Sequence, residues 1–165
     1  MFGDAVQCHS EGRLAEAEQL YRHILAIDPR HADSLHRLGV IAYQQGRHVL
    51  ATELLGKAIA QDQKVASYHA HLGLALDALG RSEEAVACCQ TAIALEPDLP
   101  DTHNNLGVML MRLGRLEEAA NCYGRAIALQ PRLPEAHNNL GNVLLELGRP
   151  QEAAACYRNV LALVP

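Results

Sequence analysis

Nine histidines and five cysteines stand among the 165 residues, side chains that can ligate metal or carry redox chemistry. Their spacing argues against both. His69, His103 and His137 recur every 34 residues, so each fills one slot of a repeating structure, where a packing role is expected. His69 and His71 are two apart, which on a helix points them about 160° from each other, a poor chelating arrangement. Cys88, Cys122 and Cys156 repeat at the same interval, as small apolar fillers do. Successive repeats can also bring these sulfurs close together, so oxidation is a second reading. Cys88 and Cys89 are adjacent, which is no metal spacing, and C-x-x-C is absent. An odd cysteine count without that motif fits a reducing compartment. A glycine-rich phosphate loop, G-x-S-x-G and H-E-x-x-H are missing as well. Glu83-Glu84 and Glu117-Glu118 fall where helices begin and match the helix dipole. The expectation is a chain with no metal, no cofactor and no catalytic constellation, which can still be the non-catalytic part of an enzyme.

A different chemistry resides in Asn104-Asn105, Asn138-Asn139 and Asn142. Asn is a poor helix former because its side chain competes for backbone bonds. Its amide both donates and accepts, which matches a peptide bond. A row of such amides can hold an extended peptide by its backbone, largely independent of the peptide's sequence. The alternatives are solvated Asn, or Asn bonded to a neighbouring repeat.

The elements that position these residues are helical. Hydrophobic residues make up 49% of the chain, enough to bury a core, yet aromatics are only 4% and Trp is absent. Ala and Leu dominate the apolar content, which favours helices and disfavours an all-β fold. Net charge is −5 and the pI about 6.0, so the basic footprint of a nucleic-acid binder is missing. Twelve Arg stand against two Lys (Lys57, Lys64), read here as compositional bias rather than phosphate recognition. No apolar run approaches the roughly 18 residues of a membrane span. The N-terminus does not read as a signal peptide. A cytoplasmic location is the default expectation.

A period of 34 runs through the chain. Leu-Gly recurs at Gly39, Gly73, Gly107 and Gly141, and Gly-Arg at Gly12, Gly46, Gly80, Gly114 and Gly148. Ala17, Ala51, Ala85, Ala119 and Ala153 form another series, as do Pro29, Pro97, Pro131 and Pro165, with Gln63 where one Pro is missing. Each repeat reads as two helices. Leu106, Met109, Leu110 and Leu113 have the spacing of an amphipathic helix, and Gly114 caps it. LEEAANCYGRAIAL then forms a second helix, with Leu116, Ala119, Ala120, Tyr123, Ala126 and Ile127 on one side and Pro131 as its stop. Glycine inside a helix costs about 1 kcal/mol relative to Ala, so its repetition implies close approach. The Ala series is the expected opposing surface. Tyr21, Tyr123 and Tyr157, with Leu55 and Cys89 in the same slot, are expected to fill space between repeats.

In these motifs the chain resembles the tetratricopeptide repeat (TPR) family, whose period is 34 and whose pattern carries L-G, a later G, then Ala, an aromatic, Ala and Pro. One departure is the early aromatic slot, which holds Leu35, His69, His103 and His137. The resemblance implies an all-α fold: about ten antiparallel helices in five pairs, stacked as a right-handed α-α superhelix with a concave groove lined by first helices. The expected boundaries are a partial repeat at 1–31 and repeats at 32–65, 66–99, 100–133 and 134–165. At about 100° per residue, Leu106, Gly107 and Leu110 pack, while Asp101, Asn105, Val108 and Arg112 form a separate stripe. Its equivalents are Glu135, Asn139, Asn142 and Glu146 in the last repeat. Earlier repeats place Asp33, Arg37, Val40 and Gln44, then Ser67, His71, Leu74 and Ala78. Peptide contacts are expected at Arg37, His71, Asn105, Arg112, Asn139 and Asn142, with a protein or peptide as partner and neither nucleic acid nor membrane.

HNNLGNVLLELGR is also similar to the TPR arm of O-linked N-acetylglucosamine transferases and their bacterial relatives, known for an Asn ladder. Only Asn105 and Asn139 match the ladder register, with Arg37 and His71 in the earlier repeats. The resemblance makes a substrate-recruiting arm of a larger glycosyltransferase-like enzyme the alternative function. A TPR clamp for chaperone C-termini is not expected, since the stripe has no Lys and carries Asp33, Asp101, Glu135 and Glu146. The last helix, with Val160, Leu161 and Leu163, lacks a capping helix. A fragment of a longer array is one expectation, and a homo-oligomer through uncapped terminal helices is the other. The stretch QDQKVAS at 61–67, which lacks the Pro, is the expected place for a bend.

Overall fold

The computed structural model describes residues 1–163, so the Pro165 position and the end of the 134–165 repeat lie outside the described residues. Among the described residues every regular element is helical, and there are ten helices. The chain forms two compact units, the first Met1–Arg81 and the second beginning at Ser82. Unit 1 holds α1 (Phe2–Ser10), α2 (Leu14–Ile27), α3 (Ala32–Gln44), α4 (His48–Gln61) and α5 (Ala66–Ala78). Unit 2 holds α6 (Ser82–Leu95), α7 (Pro100–Arg112), α8 (Leu116–Leu129), α9 (Pro134–Glu146) and α10 (Pro150–Leu163). Within each unit every helix packs on its sequence neighbours.

The helix ends follow the sequence signals. Pro100 and Pro134 open α7 and α9 at a position whose N–H has no helical acceptor. Gly114 takes φ +73°, a left-handed conformation that a side chain would strain. In that turn the Arg115 N–H reaches back to the Leu110 carbonyl at 2.9 Å. The Arg of each Gly-Arg has a local role that composition did not suggest. Arg115 clasps Glu118 with two bonds of 2.7 Å, and Arg149 clasps Glu152 likewise. Arg13 reaches Glu16 at 2.7 Å. In α4 the matching position is Leu50, so Arg47 turns instead to Glu18 of α2, at 2.9 Å.

The glycine series makes room for something other than expected. A Cβ on Gly107 would stand 2.6 Å from Cε1 of Tyr123, and one on Gly141 would stand 2.7 Å from Cε1 of Tyr157. On Gly39 it would meet Leu55 Cγ at 2.8 Å. The opposing atoms belong to the aromatic slot, not to the alanine series. Each large side chain lies over the glycine of its own helix pair, so the slot fills space within a pair rather than only between repeats. Ala17, Ala51, Ala85, Ala119 and Ala153 are nonetheless fully buried.

The 61–67 stretch closes much as its proline-containing counterpart does. Asp62 Oδ1 accepts from the Lys64 N–H at 2.9 Å, as Asp28 Oδ1 does from Arg30 at 3.1 Å. The boundary between compact units falls at Arg81 and Ser82 instead.

Candidate functional site

The stripe read from the sequence is accessible in both units. Arg37 and His71 in unit 1, and Asn105 and Asn139 in unit 2, are half-buried, while Arg112 and Asn142 are exposed. The packing positions Leu106 and Leu110 are buried beside it.

In unit 1, α3 and α5 meet through polar groups. Nε2 of His36 lies 3.0 Å from Nδ1 of His71. The same Nδ1 is 2.7 Å from the Ser67 carbonyl one turn back on α5. The Tyr68 hydroxyl donates to Asp33 Oδ1 at 2.6 Å, and its ring lies 4.7 Å from that of His36. Burial holds the His71 imidazole below its ordinary range, and the Arg37 charge adds to this. Burial, then the charges of His71 and Arg37, push His36 down to about 3. Both rings are therefore neutral near pH 7.

In unit 2 the same joint is made of amides. Asn139 Nδ2 donates to Asn104 Oδ1 at 3.2 Å. Asn104 is buried, and it supports Asn139 from the neighbouring repeat. Asn142 Oδ1 accepts from the Tyr157 hydroxyl at 2.8 Å, which leaves its NH₂ group unbonded. Asn105 makes no hydrogen bond to another described residue. Sequence reasoning missed the partners of these joints, His36 and Asn104. The available signal was a step of 35: Asp33 to Tyr68, His36 to His71 and Asn104 to Asn139. One repeat plus one residue carries a side chain to its neighbour on the next first helix.

The histidine slot is structural, but it does more than pack. His69, His103 and His137 each place Nε2 about 3 Å from a carbonyl six residues back, on Gln63, Pro97 and Pro131. Each ring fastens the turn that precedes its helix. The cysteines form no disulfide. Burial pushes the Cys122 and Cys156 thiols up, which suppresses thiolate. Among the described residues no group of three or more His, Cys, Asp or Glu is placed to hold a metal. Nor is any helix there long and apolar enough to cross a membrane.

Comparison with known proteins agrees with this arrangement. Tetratricopeptide repeat family models match residues 9–76 and 134–165, and a TPR repeat model matches 78–114 and 108–148. No curated protein sequence matches the chain. Among solved structures it is similar to MamA, with TM-score 0.87 and 24% identity over 96% of this chain and 93% of that one. It is also similar to MamA 41-end from Desulfovibrio magneticus RS-1, with TM-score 0.87 and 17% identity over 98% and 91%. YrrB, described as a TPR protein with an unusual peptide-binding site, has TM-score 0.81 and 20% identity over 98% and 83%. At these identities the structures speak to fold alone, and they share the helix-pair architecture described above. With the helix pairs, the capping glycines and the repeat models in agreement, the chain belongs to the tetratricopeptide repeat family.

Proposed function

We propose that the chain is a protein-interaction scaffold that takes an extended segment of a partner protein on the first-helix stripe, without catalysis of its own. The observation that carries this is the state of the amides in unit 2. Asn105 is unbonded, Asn139 is oriented by Asn104 through its NH₂ and keeps Oδ1 open, and Asn142 keeps its NH₂ open. An extended backbone presents N–H and C=O groups in alternation, the complement of such a row. In unit 1 the same register supplies Arg37 and His71, which suit more polar side chains. YrrB, of the same fold, is itself described as having a peptide-binding site. The repeats bounded at 1–31, 32–65, 66–99, 100–133 and 134–165 act as one cytoplasmic array in this reading.

The test is calorimetry with a peptide selected from a random library on the intact chain. Asn105→Ala with Asn139→Ala removes two hydrogen bonds and weakens binding by about 2 kcal/mol, roughly thirtyfold. Asn104→Ala, which touches only the support, gives a smaller loss. Unchanged affinity in the double variant sinks the assignment of these residues. The shared register of Asn105 and Asn139 also favours a second reading, the recruiting arm of a glycosyltransferase-like enzyme. A reading frame that continues past Pro165 into a catalytic domain is what that reading requires.

A further inference from the structure

The two units solve one joint with different chemistry. At the step of 35, unit 2 pairs Asn104 with Asn139, and unit 1 pairs His36 with His71. Amides do not titrate in the biological range, whereas imidazoles do.

The hydrogen-bond parity of the ring pair is fixed by its surroundings. The Ser67 carbonyl can only accept, so His71 Nδ1 carries a proton. His36 Nε2, 3.0 Å from the same atom, must then accept, and the His36 proton sits on Nδ1. Protonating His36 would place N–H against N–H at that distance, and the joint would repel. His71 can take its second proton on Nε2 without losing the Ser67 bond, so His36 is the sensitive partner.

We propose that the His36–His71 pair is a proton-released latch: acidification protonates His36, α5 comes away from α3, and unit 1 opens while unit 2 stays folded. The groups facing the pair shape its response. Arg37 on α3 and His9 on α1 oppose a second positive charge, Asp33 on α3 favours it, and the Tyr68 ring on α5 covers one side. A helix of 13 residues released from its neighbour does not persist alone. Control of peptide capture by this latch rests on the stripe reading above, because His71 belongs to that stripe. The latch itself does not.

The sign follows from linkage. His36 has its ordinary value, 6.5, in the open state and about 3 in the closed one. The closed state therefore binds fewer protons, and acid favours opening from about pH 6.5 downward. From pH 7 to pH 5 the open fraction rises about 25-fold from this residue.

Amide hydrogen exchange on the intact chain, corrected for intrinsic rates, reads this directly. Protection in α5 is expected to fall about 25-fold more than protection in α9 between pH 7 and pH 5. His36→Asn with His71→Asn copies the unit 2 pair and should remove most of that difference. Equal pH responses of α5 and α9 in the unaltered protein overturn the proposal. A second measurement needs no variant: nitrogen NMR of the rings should show the His36 Nδ1–H tautomer, neutral down to pH 4 in folded protein. A His36 ring that titrates near pH 6.5 while α5 remains protected overturns the latch. Loss of affinity on altering Asn105 and Asn139 bears only on the stripe, so the two ideas fail separately.

Discussion

Gly107→Ala is expected to destabilise unit 2 by about 2 kcal/mol, even though alanine is the better helix former. The helix gains about 1 kcal/mol from the exchange. Against this, the new methyl would lie 2.6 Å from a Tyr123 ring that is fully buried and has nowhere to turn. Overpacking of a closed site costs about 3 kcal/mol at its upper range. The partner change separates these effects. Tyr123→Ala alone removes a buried ring and should cost about 3 to 5 kcal/mol. In that background Gly107→Ala fills part of the cavity, and its effect should change sign to a gain of up to about 1 kcal/mol. Denaturant unfolding of the four proteins measures the coupling. Simple additivity would show that the ring is not what the glycine accommodates. Gly141→Ala is the milder contrast, because Tyr157 is only half-buried and can swing away.

The second large effect is expected at Glu18. Its carboxylate is 8% exposed and receives Arg22 at 2.7 Å, Arg47 at 2.9 Å and Gln45 at 3.3 Å. Burial pushes its pKa up, but the bonds from Arg47 and Gln45 and the Arg22 charge outweigh this and hold it below the ordinary range. Replacing it by Ala leaves the half-buried Arg47 guanidinium without its carboxylate, and Nε of that group already lacks a partner. A loss of about 3 kcal/mol in unit 1 is expected. Removing Glu118, whose pair with Arg115 is exposed, should change stability by less than about 1 kcal/mol. Thermal unfolding of both variants distinguishes them. Comparable small losses would mean that Glu18 is as dispensable as a surface pair.

The fold was legible because its determinants repeat. Leu106, Met109, Leu110 and the capping Gly114 each recur at one interval, and hydrophobic period, caps and proline stops all agree. What the stripe residues touch was far less legible. The glycine series announced a close approach, yet one-dimensional pattern did not reveal whether Ala119 or Tyr123 stood opposite Gly107. That depends on how far one helix slides along the other. Asn104 looked peripheral because it lies about 100° from the stripe, and that offset is what aims it at Asn139. His103 was read as packing, since spacing identifies a shared slot but not the Pro97 carbonyl within reach of the ring. Arg47 departs from its series because Leu50 replaces the local Glu, a difference visible in sequence whose new partner was not.

The step of 35 has a consequence for how such a surface can diversify. The side chains that would greet a partner are the same ones that couple each first helix to the next. Exchanging Asn139 or His71 for a new contact therefore also edits the coupling between adjacent layers. Specificity and compliance are inherited together here, so a lineage cannot retune one without drifting in the other. Arrays that acquire new clients through these positions should be found to differ in stiffness as well as in taste.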